Sequence, residues 1–246
     1  MPVLNYNGEI VHSLAKWKRA IRRDEELDNL HSIYVDQWDW ERVISKEQRS
    51  LDYLKETVQN LVNAIAETSS RLHTKYPKVK TVIDTNIAFI TSQELVDLYP
   101  NLTAKERENA YVKEHPTTFI LQIGDVLSHG EPHDQRAPDY DDWSLNGDLL
   151  FWHEPLGCAM ELSSMGIRVD DKALLAQLEK ANANDRLTYP FHQQILNNEL
   201  PLTIGGGIGQ SRMCMLLLSK VHIGEVQVSL WDEETLNACK DKVFLL

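Results

Sequence analysis

The chain has 246 residues, of which 42% are hydrophobic and 25% charged, a composition typical of one globular domain with a sizeable core. Its formal net charge of −12 argues against loose attachment to nucleic acid or anionic membranes, because such affinity comes from Lys and Arg neutralising phosphates. We therefore expect any bound polyanion to meet a local cluster of arginines.

Three cysteines, Cys158, Cys214 and Cys239, are widely spaced and include no CxxC pair. This pattern predicts neither a disulfide framework nor a zinc site, and it fits a reducing cytoplasm. The N-terminus has no cationic start, and the longest later apolar run, Met213 to Leu218, is too short to cross a bilayer. We expect a soluble cytoplasmic protein that is not exported.

The first forty residues combine an extended start with a charged segment. Residues 1–12 are expected to form an entering strand or hairpin, and the mixed charges over 12–32 are typical of a solvated loop. The sequence from Ile33 to Glu41 alternates, which predicts a strand with one partly polar face. That face consists of Ile33, Val35, Gln37, Asp39 and Glu41. Because buried polar groups need partners, we interpret it as the floor of a polar pocket.

Helices and further strands follow between residues 45 and 123. Ser45 and Gln48 form a capping-box pattern, which predicts the start of a long amphipathic helix whose apolar stripe packs in the core. The other elements of this stretch are a strand over 81–90, a helix over 92–98, a helix over 103–114 and a strand over 117–123.

A long loop is predicted over 129–148, because this segment has no hydrophobic period, and loops of this length are often functional. After it, the pattern predicts strands over 149–152 and 159–169, helices over 170–181 and 191–200, a Gly-rich turn over 205–209 and a buried helix over 210–220. Strands that cluster around a few helices without strict βαβ alternation indicate an antiparallel α+β fold.

Two groups of residues are candidates for binding. Arg212 follows the Gly-rich turn on an apolar helix, where a guanidinium beside backbone N–H groups suits a nucleotide. The glycines alone are a weak signal, since close packing of helix on sheet explains them equally well and they form neither a P-loop nor a Rossmann fingerprint. Asp148 and Glu161, in the same predicted hairpin as Arg168, are suited to hold Mg²⁺ together with phosphate oxygens.

Six segments, in this order, resemble the ammonia-dependent aspartate–ammonia ligases, the A-type asparagine synthetases: HSLAKWKR, AIRRDEELDNLHSIYVDQWDWE, RAPDYDDW, LNGD, ELSSMGIRVD and TIGGGIGQSR. The resemblance runs from Val11 to about Val228. It implies the fold of class II aminoacyl-tRNA synthetase catalytic domains, an antiparallel sheet flanked by helices, in a homodimer. It also implies a ligase reaction in which L-aspartate, ammonia and ATP give L-asparagine, AMP and diphosphate through an aspartyl-adenylate, with Mg²⁺.

The same resemblance implies roles for residues around the nucleotide. Arg22 resembles the arginine that grips the α-phosphate, and Arg212 resembles the arginine near the adenine and the γ-phosphate. Asp148 and Glu161 resemble the acids that hold Mg²⁺. Two glycines of the nucleotide site correspond to Gly207 and Gly209.

Around the aspartate, Lys18 and Arg168 resemble the pair that binds the side-chain carboxylate. Further residues of this pocket are Asp36, Gln37, Asp39, Arg136, Asp139, Asp141, Ser163 and Ser164. Asp39 or Asp141 is the candidate that orients ammonium or accepts its proton. The resemblance makes Arg22, Arg212, Gln37 and Asp141 the catalytic candidates.

The chain departs from the family pattern in two places. It starts only ten residues before Val11, where full members carry an N-terminal segment, and it lacks a helix and a strand with a GEGLYT-like sequence between Arg19 and Ala20. We therefore expect one domain over 1–246 that is shortened at both places, with Lys18 and Arg22 on one bend. An open sheet edge is expected where the strand is missing.

Three functions remain open at this point. An active aspartate–ammonia ligase is favoured because all pocket motifs are present. A synthetase-like module that binds aspartate, asparagine or AMP without turnover is the alternative. An aspartyl-tRNA synthetase fragment is disfavoured, because the chain is acidic and has no basic anticodon-binding domain, so no nucleic-acid partner is expected. No glutaminase nucleophile is recognisable, so free ammonia is the expected donor.

Overall fold

The fold is organised around one sheet, which a computed structural model describes for residues 13–246. The strand or hairpin predicted within residues 1–12 lies outside the described residues. The strands are β1 (Ser13–Ile21), β2 (Tyr34–Val43), β3 (Ala88–Thr91), β4 (Thr117–Leu121), β5 (Asp141–His153), β6 (Cys158–Arg168) and β7 (Thr203–Gly209).

The seven strands lie in the order β1-β2-β7-β6-β5-β4-β3. All neighbours are antiparallel except β3 and β4, which run parallel. The predicted α+β class with a largely antiparallel sheet is confirmed, and the β3–β4 pair makes the sheet mixed. Because β2, β7 and β6 are central, residues from distant parts of the chain meet on one floor.

Seven α-helices and two short 3₁₀ helices surround the sheet within the described residues. The α-helices are α1 (Leu51–Lys75), α2 (Ser92–Leu98), α3 (Ala104–Glu114), α4 (Asp171–Lys180), α5 (Pro190–Leu196), α6 (Gln210–Leu218) and α7 (Glu233–Cys239). The 3₁₀ helices are Asn184–Thr188 and Ile223–Glu225. No helix among residues 13–246 is long and apolar enough to span a membrane.

The main hydrophobic core joins α1 and α6 to the central strands. Leu54, Val58 and Val62 on α1 are fully buried in the same cluster as Met160 and Met165 on β6, and Met215 and Leu216 on α6 complete it. The helical spacing in α1 therefore makes a core stripe, as predicted, and burying it stabilises the fold through the hydrophobic effect.

The helix predicted from Ser45 begins later than expected. The reciprocal bonds of the capping box are present, since the Ser45 N–H donates to the Gln48 side chain and the Gln48 N–H to the Ser45 hydroxyl. They close a turn, however, and α1 starts at Leu51 with Ser50 as its N-cap. Ser50 caps the helix in place of Ser45, because its side chain accepts a hydrogen bond from the backbone N–H of Tyr53.

The predictions for 81–90 and 129–148 were wrong in extent. Of the first segment only residues 88–90 lie in a strand, and β5 begins at Asp141, so the last eight residues of the predicted loop are strand. Asp141 pairs with Arg168 in the ladder, and the register shifts before Asn146. The irregular register explains why no simple alternation is visible there.

The Gly-rich segment is not a turn. Residues 203–209 form β7, a central strand between β2 and β6. Glycine is a poor strand former, so propensity favoured a turn, but glycine in a strand also marks a place where other groups approach the backbone closely. The neighbours of β7 supply those groups, as the site shows.

Candidate active site

A cavity of about 400 Å³ opens over β2, β7 and β6. Its walls include the segment after β1, the end of the loop before β5 and the start of α6. The cavity brings together these sequence-predicted residues: Lys18, Arg22, Asp36, Gln37, Asp39, Arg136, Asp141, Glu161, Ser164, Arg168, Gly207, Gly209 and Arg212.

Three predicted residues do not line the cavity. Asp139 instead accepts hydrogen bonds from Arg186 and His192, both at 3.0 Å, and so ties the segment before β5 to α5. Ser163 donates to the Gly207 carbonyl at 2.8 Å and lies within the sheet. Asp148 is buried and contacts the cavity through Arg136, with which it forms an ion pair.

Alternate residues of β7 are glycines, and each stands opposite a polar residue of β2. The register pairs Gln37 with Gly209, Asp39 with Gly207 and Glu41 with Gly205. A β-carbon on Gly207 would lie 2.9 Å from an Asp39 carboxylate oxygen. The glycines therefore leave room for the polar side chains of β2, which confirms that this face of β2 is the floor of a polar pocket.

Arg168 lies at one end of the cavity within a cluster of carboxylates. Its Nε donates to Glu41 at 3.0 Å and its Nη2 at 2.8 Å, and its Nη1 donates to Asp141. The centre of the Tyr140 ring lies 4.0 Å from its guanidinium carbon. Lys18, a second cation of the cavity, lies with its Nζ 3.6 Å from an Asp39 carboxylate oxygen.

Burial and the charges of this cluster shift the pKa values of Asp141 and Arg168. Burial raises the pKa of Asp141, and the Arg168 guanidinium only partly offsets the effect. Burial acts to lower the pKa of Arg168, but the Asp141 and Glu41 carboxylates outweigh it and raise this pKa. A permanently charged guanidinium at this end suits a substrate carboxylate.

Arg212 lies at the opposite end, on the first turn of α6. Its Nη1 donates to the Glu161 carbonyl at 3.0 Å, and its Nη2 contacts His31 Nε2 at 2.9 Å. His31 is held in turn by Asp28, 2.8 Å from its Nδ1. The guanidinium is thus fixed at the cavity wall, and a guanidinium is a group that stacks on planar bases.

Arg22 follows β1 directly and lines the same end as Arg212. Its backbone N–H donates to the Ile33 carbonyl at 2.7 Å, so Arg22 starts the loop that leads into β2. Among the described residues its side chain hydrogen-bonds to Glu25, at 2.7 Å, and it is about half exposed. Lys18 therefore lies within β1 and Arg22 directly after it, so the expected bend is wrong, and residues 13–21 of the expected loop form a strand.

The C-terminal part of the chain holds the loop between β1 and β2. The Asn29 side chain donates to the Val221 carbonyl at 2.7 Å, and the Asn29 carbonyl accepts from the Ile223 N–H at 2.8 Å. Ser32 and Gln227 form a buried hydrogen bond of 2.7 Å between their side chains. These contacts fix the loop that carries Arg22 and His31 against α6 and its exit.

Asp148 and Glu161 lie on adjacent strands, but not through simple alternation. The β5–β6 register pairs Leu149 with Ser163 and Leu150 with Glu161, which leaves Leu162 as an extra residue. Such a bulge turns the following residues to the other face, so that Glu161 and Ser164 both line the cavity. The bulge places Ser164 opposite Asp148 and on the same face as Glu161, and the Asp148 and Glu161 carboxylates interact.

Asp148 and Glu161 are suited to bind a divalent cation whose other ligands are phosphate oxygens. Burial, together with the neighbouring Glu161 carboxylate, raises the pKa of Asp148 to about 7, although Arg136 opposes the shift. One oxygen of Asp148 is buried with no hydrogen-bond partner in the described residues. Mg²⁺ is usually held by one or two carboxylates plus substrate phosphates, and these residues supply that donor set. Residues 13–246 contain no group of three or more acids, His or Cys that would hold a metal alone.

His31, Glu41 and Tyr140 contact the arginines of the site, but the family resemblance assigns them no role. Glu41 belongs to the alternating face of β2 and is detectable by that alternation. Tyr140 and His31 lie in loops, where no periodicity shows which way a side chain faces.

The fold and this cavity define the class of the protein. The structure resembles an aspartyl-tRNA synthetase from Entamoeba histolytica with a TM-score of 0.63 at 15% identity, covering 91% of this chain and 48% of that one. An asparaginyl-tRNA synthetase from Pyrococcus horikoshii, complexed with asparaginyl-adenylate, gives a TM-score of 0.63 at 17% identity, covering 87% and 51%. The chain thus has the fold of class II aminoacyl-tRNA synthetase catalytic domains and spans about half the length of these synthetases.

Sequence comparisons then identify the family. The family profile described as aspartate-ammonia ligase matches residues 19–243. Aspartate–ammonia ligases from Clostridium tetani and Ligilactobacillus salivarius are each 55% identical, covering 95% of this chain and 74% and 75% of their own lengths. The chain belongs to the aspartate–ammonia ligase family, a family of ligases.

The alignments also show a difference in length. The alignment with the Clostridium tetani protein extends over 253 positions, more than the 246 residues of this chain, although it covers only 95% of them. The relative therefore carries residues within the aligned region that have no counterpart here.

Proposed function

We propose that this protein makes L-asparagine from L-aspartate and ammonia, using ATP and passing through an aspartyl-adenylate. The observation that carries the proposal is the separation of two arginines along one cavity floor, with Arg168 held by Glu41 opposite Gly205 and Arg212 beside Gly209. Lys18 and Arg22 line the same cavity. One end suits the carboxylates of an amino acid, and the other suits the phosphates and base of a nucleotide. Family membership and the adenylate complex of a structural neighbour support this division.

The product determines which carboxylate reacts. Asparagine is amidated at its side chain, so the side-chain carboxylate of aspartate must reach the α-phosphorus of ATP. The resemblance implies that Lys18 and Arg168 hold this carboxylate, but Arg168 lies away from Arg22 and Arg212. We therefore assign Arg168 to the α-carboxylate, which does not react, and Lys18 to the approach of the reacting group.

In the first step an oxygen of the side-chain carboxylate attacks the α-phosphorus, and diphosphate leaves. Arg22 and Arg212 bind the phosphates and stabilise the charge that develops, so the catalysis is mainly positioning and fixed electrostatics. Asp148 and Glu161 would hold Mg²⁺, which supplies charge neutralisation on the phosphates. Gly207 and Gly209 leave the floor open for the substrate, and Gln37 and Asp36 line it.

In the second step ammonia attacks the acyl carbon, AMP leaves, and one proton is lost. Asp39 is the better acceptor for this proton, because its side chain is partly exposed and its ion pair with Lys18 is long, at 3.6 Å. Asp141 is engaged by Arg168 instead and suits the amino group of the substrate. Ser164 and Arg136 complete the wall, while Ser163 and Asp139 act only through the elements that they hold.

Further features of the proposal concern the whole chain. We take residues 1–246 as one catalytic domain that works in the cytoplasm as a homodimer, without a nucleic-acid partner. The free thiols of Cys158, Cys214 and Cys239 are consistent with a reducing compartment. The net charge of −12 opposes binding to a polyanion such as tRNA.

The test is product formation by the purified chain with ATP, Mg²⁺, aspartate and ammonium, omitting each in turn. The proposal predicts asparagine and AMP in equal amounts, both dependent on ammonium. A folded sample that binds aspartate and ATP but forms no asparagine would show the binding module without turnover. Ammonium-independent transfer to tRNA would point to a synthetase fragment.

A further inference from the structure

Arg168 is held across a strand by a residue on the far side of the site floor. It belongs to β6, and its side chain spans β7 to reach Glu41 on β2, since the sheet order is β2-β7-β6. Both side chains are about nine-tenths buried, with exposed fractions of 10% and 14%. A two-point contact between buried charges fixes a guanidinium far more firmly than a single hydrogen bond.

The strand between them is built to allow this contact. Gly205 stands opposite Glu41 in one ladder and opposite Gly166 in the other. A β-carbon on Gly205 would lie 2.5 Å from Arg168 Nη2 and 2.6 Å from the Trp40 carbonyl oxygen, and it would collide with a Glu41 oxygen. Any side chain at this position therefore displaces the pair.

The remaining donors of Arg168 match one carboxylate. A guanidinium carries five N–H groups. Glu41 engages the Nε group and one on Nη2, and Asp141 engages one on Nη1. Within the part of the chain that the structure describes, one N–H group is left on each terminal nitrogen of this side chain, which lines the cavity. Two neighbouring donors in a plane are the arrangement that binds both oxygens of a carboxylate.

We propose that Glu41 is a positioning residue, which orients Arg168 so that its two free N–H groups bind the α-carboxylate of the substrate. The inference rests on the proposed function, because it takes aspartate as the ligand of Arg168. Glu41 itself does not touch the substrate. It sets the affinity for the amino acid and leaves the nucleotide end of the cavity unchanged.

The test is calorimetric binding of aspartate, asparagine and ATP to four chains: wild type, Glu41→Gln, Arg168→Ala and the double variant. Glutamine has the size of glutamate, but only its carbonyl oxygen can accept a hydrogen bond from Arg168. Because Arg168 is then held less firmly, we expect at least a tenfold loss of affinity for aspartate and for asparagine. ATP affinity should stay within twofold. Adding Glu41→Gln to Arg168→Ala should cause no further loss, because Glu41 acts only through Arg168. Glu114→Gln, an exposed change on α3, controls for net charge.

The side-chain N–H signal of Arg168 in ¹⁵N NMR gives a readout independent of substrate. The Nε–H proton should be protected from exchange with water in the wild type and lose that protection in Glu41→Gln, with Arg168→Lys used to assign it. Equal losses for ATP and aspartate, losses that multiply in the double variant, or an unchanged aspartate affinity would each overturn the inference. If the wild type itself fails to bind aspartate, the proposed function fails first, which separates the two claims.

Discussion

At the scale of single residues, the proposed site depends on two arginines, one for the amino acid and one for the nucleotide. Arg168 is enclosed by carboxylates and a tyrosine ring, whereas Arg212 is held by a carbonyl group and a histidine. These surroundings explain why the chain keeps permanent cations at both ends of the cavity in spite of its negative net charge.

Replacing Arg168 with alanine should weaken aspartate binding without affecting ATP. Charge-assisted hydrogen bonds contribute about 1.5–3 kcal/mol each, so the dissociation constant for aspartate should rise at least tenfold. Asparagine should lose affinity by a similar factor, because it shares the α-carboxylate. Isothermal titration calorimetry measures all three ligands, and a loss confined to aspartate would assign Arg168 to the side-chain carboxylate instead.

The complementary change, Arg212→Ala, should weaken the interaction of the enzyme with ATP. We expect the KM for ATP to rise about 10-fold or more, from the loss of one charge-assisted contact of about 1.5–3 kcal/mol, and the KM for aspartate to change little. Steady-state kinetics with each substrate varied in turn measures both values. An increase in the KM for aspartate alone would reverse the assignment of the two ends.

Residue types in motifs were more predictable from the sequence than the contacts they make. The alternation of β2 identified Gln37 and Asp39 on the pocket floor, since a strand with period two has only two faces. Asp139 and Ser163 were placed by the resemblance in the pocket, but Asp139 is drawn away by His192 and Arg186. Such partners are distant in sequence, so no local pattern shows them.

At the scale of elements, the loop before β5 is tied to α3 through buried charges. His133 contacts Glu108 at 3.2 Å, and Lys105 contacts the same carboxylate at 2.8 Å. Burial acts to raise the pKa of Glu108, but the bonds from His133 and Lys105 outweigh it and lower this pKa below its usual range. The loop carries Arg136 into the site, so this tie positions a residue of the cavity.

Glu108→Gln should destabilise the protein in a pH-dependent way. A carboxylate with a lowered pKa stabilises the fold above the pKa of the unfolded chain, and this contribution is lost as the pH falls through its folded pKa. At pH 7 we expect a loss of about 1.5–3 kcal/mol in the free energy of unfolding, from hydrogen bonds to a charged group. Urea unfolding at pH 7 and near pH 4 measures it, with Glu114→Gln as the exposed control. If the difference in the free energy of unfolding between wild type and variant does not shrink at the lower pH, the ion pairs of Glu108 do not stabilise the fold.

Elements with local signals were predicted well, and those set by neighbours were not. The capping boxes of Thr91 and Thr103 form at the starts of α2 and α3, because these bonds lie within four residues. The strand β7 was mistaken for a turn, since its glycines are explained only by Glu41, Asp39 and the side chains of β6 across the ladders. The β6 bulge that places Ser164 on the same face as Glu161 is equally a property of the pairing.

At the scale of the whole molecule, β1 lies at one edge of the described sheet and carries an apolar outer surface. Trp17 and Ile21 are 57% and 75% exposed, and Trp38 opposite Trp17 is 43% exposed. An open edge of this kind favours pairing with another chain. Among residues 13–246 no further strand pairs with β1 at this edge, so we expect the chain to associate there.

The change Ile21→Lys should reduce self-association. A charge on an edge strand opposes strand pairing, so light scattering should show a several-fold weaker tendency to associate at equal concentration. Val82→Lys is the matched control, because Val82 is 89% exposed and lies away from β1. Equal behaviour of both variants and the wild type would show that association does not use this edge.

The central claim is that the side-chain carboxylate of aspartate attacks the α-phosphorus of ATP in this cavity. The most direct measurement uses aspartate labelled with ¹⁸O in both side-chain oxygens, with ATP, Mg²⁺ and ammonium, and mass spectrometry of the products. An adenylate predicts AMP that carries one ¹⁸O atom and asparagine that keeps the other. Unlabelled AMP, or label in inorganic phosphate together with ADP, would contradict the account.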